Sequence, residues 1–258
     1  MKIAGLQMRT ALGDVAANLE KINKAAKEAA SNGAQLLIVP ELSVTGYGAG
    51  PLLKTTAEPS TGRSASTLAS IAKNHGIAVV AGFSEAAGTK CFNSALFVDA
   101  LGKSAIYRKT NLFAAYENKW FDAADPSCVI VELGGLKLGC LICDDVEFPE
   151  NARRLALAGV DLIVVPTALP AGPSADFIVE HMIKVRAFEN QVHVAYINNV
   201  GTSGDYTFAG RSQIAAPDGS LLAEANSADE MLIYAQINCH EYAQSSQANS
   251  YLTDLRLP

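Results

Sequence analysis

The run Leu36-Leu37-Ile38-Val39-Pro40 returns later in the chain as Leu162-Ile163-Val164-Val165-Pro166. Each is apolar up to its proline and too short for a helix, which reads as a strand buried on both faces. The flanking segments repeat as well. A helix over Asp14–Asn32 precedes the first run: Asp14 can cap it, Leu19, Ile22 and Ala26 recur at helical spacing, and Gly33 lies just past its end. A second helix over Ser64–Asn74 ends at His75-Gly76, and the buried run Ile77–Phe83 follows. Residues 94–109 then read as a hairpin, Ala95–Val98 and Ser104–Arg108 around a turn at Asp99–Gly102. The second half has the strand Leu136–Cys143, a helix over Pro149–Ala158 with proline in its first turn, and Gly159 after it. Beyond Leu162–Pro166 come a helix over Ala175–Asn190, the strand Val192–Ile197 and a hairpin turning at Pro217-Asp218-Gly219. Both halves therefore read strand, helix, strand, helix, strand, hairpin.

This repeat has an architectural consequence. Each half forms a sheet with two helices on one face and an apolar face left over, and packing the two sheets together buries both. The expected fold is α/β, a four-layer α-β-β-α sandwich of two pseudo-equivalent halves. A barrel or an open doubly wound sheet would also accommodate such strands. No Pro/Ser-rich linker or charge run divides the chain, so residues 1–258 are expected to form one domain. The 258 residues are 49% hydrophobic and 18% charged, which excludes disorder and suffices for a large core. The formal charge of −6 argues against wrapping nucleic acid, which needs clustered Lys and Arg. No run approaches the ~20 apolar residues of a membrane span. The N-terminal segment, cut by Gln7 and Arg9, lacks the greasy core of a signal peptide. The expectation is a cytoplasmic protein with no membrane partner. Five cysteines, an odd and scattered set, make no disulfide framework.

Chemistry concentrates around Cys143. An apolar strand ends there, Asp144 and Asp145 follow, and a helix begins, a junction where backbone N–H groups can stabilise a thiolate. A small buried cysteine is the competing reading. Cys140 and Cys143 form a C-x-x-C, but three positions apart on a strand their side chains face opposite ways, which argues against a redox pair. Zinc is excluded by the absence of a second cysteine pair or a His-x₃-His spacing. A nucleophile needs a base, and His75, His181, His193 and His240 stand in capping, mid-helix, strand and polar C-terminal settings. Glu41 is the better candidate, because it follows the first repeated run where Thr167 follows the second. Lys109 ends the hairpin and could be a solvated strand end. Tyr116-Glu117-Asn118-Lys119-Trp120-Phe121 reads as a loop, a surface turn packed by Trp120. Thr45–Pro51 is glycine-rich but lacks a phosphate-loop pattern, and reads as a flexible loop beside Glu41 that can form a pocket wall.

Together three segments resemble the nitrilase superfamily of carbon–nitrogen hydrolases. They are Pro40-Glu41-Leu42-Ser43-Val44-Thr45-Gly46-Tyr47, Tyr107-Arg108-Lys109-Thr110-Asn111-Leu112-Phe113, and Leu141-Ile142-Cys143-Asp144-Asp145 through Phe148-Pro149-Glu150. They occur in the family's order, and the resemblance runs from residue 1 to 258. It implies the same α-β-β-α sandwich and assembly at least as a homodimer. By resemblance the catalytic Glu, Lys and Cys fall on Glu41, Lys109 and Cys143, and the family's second glutamate falls on Glu117, against the surface-turn reading. Close amidase relatives carry an aromatic residue where Asp144 stands, and a carboxylate there would raise the cysteine pKa unless it points away or meets a cation. Phe148–Pro166, Arg186–Gln191 and Ile214–Gly219 look most like the amidase branch that includes 5-aminopentanamidase and the R-stereoselective amidase.

The resemblance implies hydrolysis of a small, often amino-substituted carboxamide through a cysteine thioester, with no metal or organic cofactor. A nitrilase acting through the same thiol, or a non-catalytic member of the fold, are the alternatives. Tyr47, Asp144 and Thr167 are candidates for contact with substrate. Asp144, Glu150 or Asp176 could meet an amino group, and each could equally be a helix-start carboxylate. The polar stretch His240–Pro258, anchored by Tyr242, Tyr251, Leu252 and Leu255, suits a tail lying across a neighbour as well as one folded on its own subunit.

Overall fold

The computed structural model describes residues 1–256; Leu257 and Pro258, the end of the polar C-terminal stretch, lie outside it. Its strands are β1 (Lys2–Gln7), β2 (Leu36–Ile38), β3 (Ala78–Ala87), β4 (Lys90–Val98), β5 (Ser104–Arg108), β6 (Ile130–Leu133) and β7 (Leu136–Cys140). They continue with β8 (Leu162–Thr167), β9 (His193–Asn198), β10 (Val200–Ser203), β11 (Tyr206–Ala209), β12 (Gln213–Ala215), β13 (Leu221–Glu224) and β14 (Met231–Gln236). One six-stranded sheet runs β14-β1-β2-β3-β4-β5 and the other β13-β12-β9-β8-β7-β6. In the first sheet β1, β2 and β3 are parallel and β4 and β5 antiparallel. In the second β7, β8 and β9 are parallel and β12 and β13 antiparallel. The repeat read from the sequence is thus a repeat of topology, with β2 and β8 in equivalent central places.

Alternation along the strands sends side chains to two different cores. Leu37 and Val79 face outward with Ala4 and Leu6 and pack under Leu19, Ile22 and Ala26 of the helix Val15–Ser31 and Leu68 and Ile71 of the helix Arg63–His75. Ile3, Leu36, Ile38 and Val80 face the other sheet, where they join Leu138, Val164, Ala195 and Ile197. The helices Pro149–Leu157 and Ile183–Asn190 cover the far side of that sheet through Ala152, Leu155, Ile183 and Ala187. These are the four layers. The sheets approach so closely at Gly5 that a Cβ there would lie 2.2 Å from Cδ1 of Ile197.

Local signals explain most boundaries. The Asp14 side chain accepts the Ala17 N–H at 3.0 Å as an N-cap should. Gly76, at φ +65°, ends its helix in the left-handed conformation. Elsewhere the structure departs from expectation. The expected strand Leu136–Cys143 ends at Cys140, and the expected helix Ala175–Asn190 starts at Pro173 and contains a π-turn over Ile178–Met182. Residues 116–121 are not a loop: Ala114–Trp120 is helical. Strands β6 and β14 add an edge to each sheet, and β10–β11 forms a separate hairpin between β9 and β12. The C-terminal stretch folds onto its own subunit. Tyr242 packs edge-on to His193 at 5.3 Å, Tyr251 to Phe188 at 5.8 Å, and Ser246 reaches Gln191 at 3.3 Å.

Gly82 in β3 has a direct bearing on the site. A Cβ there would meet Leu42 N at 2.4 Å and Glu41 Cα and Pro40 O at 2.8 Å, all backbone atoms of the turn that carries Glu41. That turn is also sewn to β3 by Val44 N–H donating to Gly82 O at 3.0 Å. Gly82→Ala is therefore expected to destabilise the protein by about 1–3 kcal/mol, the usual range for overpacking. The shift would be read from the urea midpoint at unchanged m-value, and an unaltered midpoint would show that the turn can give way.

Candidate active site

Four elements converge where the two sheets end. Glu41 lies in the turn after β2, Lys109 directly follows β5, Glu117 is on the helix Ala114–Trp120, and Cys143 opens a 3₁₀ turn over Cys143–Glu147 after β7. Glu41, Lys109 and Glu117 are wholly buried and Cys143 is 6% exposed. The Lys109 ammonium donates to Glu41 Oε1 at 2.8 Å and to Glu117 Oε1 at 2.7 Å. Asn93 on β4 donates a further hydrogen bond to Glu41 Oε1 at 2.7 Å. Glu117 also accepts from the Tyr47 hydroxyl at 2.8 Å and, at Oε2, from the Phe113 N–H at 2.9 Å. Buried ions persist only with such partners, because desolvation otherwise outweighs their attraction. Glu41 Oε2 is the exception, buried with no hydrogen-bond partner.

The electrostatics follow from this geometry. Burial pushes the Glu41 carboxyl up to about 7, with Lys109 opposing and Glu117 adding to the rise. Burial alone would lower the Lys109 pKa, but Glu117 and Glu41 outweigh it and hold the ammonium well above its ordinary range. The Cys143 thiol is pushed well up by burial and by Glu41, against the pull of Lys109 and the Ala168 N–H. At this strand-to-helix junction burial thus favours the neutral thiol over the thiolate that converging backbone N–H groups could stabilise. The charges that act most on it are Glu41 and Lys109 rather than its neighbour Asp144. Cys143 sits at φ +45°, the left-handed region a non-glycine residue seldom adopts. A thiol, a carboxyl that exchanges its proton near neutrality and a permanent cation are the components of nucleophilic catalysis with base assistance.

The remaining candidates fall around this core. Tyr47, 1% exposed, spends its hydroxyl on Glu117 and stacks among Tyr116, Tyr206 and Phe208 at centroid distances of 5.4, 5.3 and 5.9 Å. Thr167 is buried at the end of β8, its hydroxyl donating to Val165 O at 2.9 Å. Asp144 is half-buried, and burial raises its carboxyl against the pull of Lys109. Glu150 is exposed, and Asp176 is an exposed partner of Arg211 at 3.4 Å. His75 is bonded to Asn23 and His193 packs on Tyr242, both away from the four residues. All five cysteines are free, and the Cys140 thiol turns to Leu141 O. Among the described residues no cluster of three or more His, Cys, Asp or Glu is arranged to hold a metal ion, and no helix is long and apolar enough to cross a membrane.

Three residues near the site were not anticipated. Asn93 is a buried amide on β4, just ahead of the Ala95–Val98 run read as a strand from the sequence. Asn199 donates to Glu41 O at 3.1 Å and Thr167 O at 3.5 Å, tying together the residues that follow the two repeated runs. Asp145, buried behind Cys143, is bonded to Tyr107 and Asn111 on either side of Lys109.

Known proteins of this shape carry the comparison further. The family described as carbon–nitrogen hydrolase matches residues 2–247. A Pseudomonas protegens protein named "Hydrolase in pqqF 5'region" is 42% identical, the match covering 99% of this chain and 89% of that one. A protein of Pyrococcus abyssi named nitrilase is 34% identical over 93% of this chain and 90% of its own. The solved amidase from Nesterenkonia sp. AN1, of the nitrilase superfamily, superposes with a TM-score of 0.90 at 31% identity, covering 99% of this chain and 96% of that one. In that crystal acrylamide has added to the active-site cysteine. With the sandwich and the buried cluster already described, these matches mean that the chain belongs to the carbon–nitrogen hydrolases and is an amidase-type enzyme of the nitrilase superfamily.

Proposed function

We propose that the chain hydrolyses small carboxamides to the acid and ammonia, acting as one catalytic domain over residues 1–258, in the cytoplasm and assembled at least as a dimer. The observation that carries this reading is the buried meeting of Cys143, Glu41 with one unsatisfied oxygen, and Lys109 held as a cation. Cys143 Sγ attacks the amide carbon as its proton passes to Glu41 Oε2. Lys109 and the backbone N–H of Asp144, unpaired within the first turn of a helix, stabilise the oxyanion, a role worth roughly 10²–10³ in rate per donor. The C–N bond then breaks as Glu41 returns the proton to nitrogen, and ammonia leaves a thioester on Cys143. Water, giving its proton to Glu41, attacks the thioester, and release of the acid restores the thiol. Glu117 shares the Lys109 ammonium with Glu41 and assists the second proton transfer.

The charge around the site supports a substrate class. Asp144 and Glu147 stand three residues apart on the 3₁₀ turn, where such side chains eclipse. Burial and Asp144 push the Glu147 carboxyl up to about 7. The nearby Arg186 spends its guanidinium on the Val146 and Glu147 carbonyls and on Glu189. This negative rim favours neutral or amino-substituted amides over those bearing a carboxylate. A nitrile is the second reading, favoured by the nitrilase of Pyrococcus abyssi among the similar proteins.

Ammonia release from matched short amides, ω-amino amides and nitriles, with Cys143→Ala as control, tests the reading. Turnover of amides that disappears in Cys143→Ala is expected; turnover of nitriles alone would move the chain to the second reading, and turnover surviving in the variant would rule out the thiol. The general base must be ionised, so kcat/KM is expected to rise with pH through a limb near 7, where Glu41 titrates. Glu117→Gln removes a negative charge that raises Glu41, so its limb should move to lower pH. A profile flat through neutrality would exclude Glu41 as the base.

A further inference from the structure

The Asp145 side chain is wholly buried and accepts hydrogen bonds from three separate places. Oδ2 receives the Tyr107 hydroxyl at 2.9 Å and the Ile142 N–H at 3.2 Å, and Oδ1 receives the Asn111 N–H at 2.8 Å. Tyr107 and Asn111 stand two residues before and two after Lys109, and Ile142 immediately precedes Cys143. One carboxylate thus grips the chain on both sides of Lys109 and ties it to the residue beside the sulfur. Asn151 doubles the link, donating to Asp145 O at 2.9 Å and to Asn111 Oδ1 at 3.0 Å.

The need for such a tie follows from the fold. Lys109 hangs from β5 of one sheet and Cys143 from β7 of the other, so without a further tie only sheet packing would set their separation. Cys143 also holds φ +45°, and an unfavourable backbone conformation lasts only where its surroundings over-determine it. The bond from Ile142 N–H to the Asp145 side chain closes that turn as the acidic residue of a capping box does. Only an acceptor-only group meets three converging donors, since an amide would turn its NH₂ toward one of them. Burial pushes the Asp145 carboxyl up to about 6, and Lys109 and the three donors pull against that rise in favour of the carboxylate.

We infer that Asp145 is a positioning residue that fixes the Lys109 ammonium relative to the Cys143 sulfur, for the amide hydrolysis proposed above. It touches neither substrate nor the reacting atoms and acts through both neighbours.

Asp145→Asn and Tyr107→Phe test this through kcat, KM and the pH dependence of Cys143 alkylation by iodoacetamide. Asp145→Asn is expected to lower kcat about 100-fold with KM little changed, since a displacement near 1 Å can cost that much. Tyr107→Phe, which keeps two of the three bonds, should show a smaller loss of the same kind. In both, alkylation should slow and its midpoint move to higher pH, because a displaced Lys109 favours the thiolate less. A merely structural role would lower the unfolding temperature and leave the alkylation profile in place. Folded variants with wild-type kcat and an unmoved profile overturn the inference. Should Asp145→Asn fail to fold, Tyr107→Phe decides alone by the same two readouts. Inactive wild-type protein would overturn the proposed function and this inference with it, whereas active wild type beside unaffected variants overturns this inference only.

Discussion

Lys109, wholly buried between Glu41 and Glu117, is the constraint to which the rest of the structure answers. Moving an ion out of water costs several kcal/mol even after relaxation, and three ions are packed together here. Their attraction offsets that cost only if the remaining lone pairs find donors. Asn93 comes from a strand, Tyr47 from a 3₁₀ turn and the Phe113 N–H from the N-cap of a short helix to supply them. Two carboxylates against one ammonium also leave an excess of negative charge. The excess falls on Glu41, whose second oxygen has no partner and whose carboxyl titrates near neutrality.

The sandwich makes this cluster affordable to build from distant segments. Pairing the two sheets brings the ends of β2, β5, β7 and β8 together, although they are far apart along the chain. The two sheets approach closely enough that Gly5 lies against Ile197, and within the first sheet the turn carrying Glu41 passes directly over Gly82. Asn199 then ties Glu41 to Thr167, and Asp145 ties the Lys109 segment to Cys143. The two halves are topologically alike but chemically unequal: the repeated runs end in a carboxylate in one and a hydroxyl in the other.

Much of this was legible in the residues. The two repeated apolar runs, the capped helices and the paired hairpins were enough to infer the layers, because burial on both faces leaves few ways to cover such strands. Glu41, Lys109 and Cys143 were visible as polar residues at the ends of apolar segments. Glu117 was reached only through the family resemblance, since its helix is a short one with little periodicity and its burial depends on Lys109 and Tyr47 arriving from elsewhere. Strands β6 and β14 were missed for a related reason, being edges whose pairing partners define them. The C-terminal stretch was ambiguous because its few aromatic anchors are meaningful only against Phe188 and His193.

What the sequence determined by itself is therefore the order of elements, the two-faced burial of the central strands and the residue types available at their ends. These are local properties, set by periodicity, caps and turns. The tertiary structure decided which of those ends meet and in what state of charge. Desolvation and the sum of neighbouring charges act through space, so the neutral resting thiol of Cys143, the raised carboxyl of Glu41 and the grip of Asp145 on both sides of Lys109 exist only once the two sheets are packed.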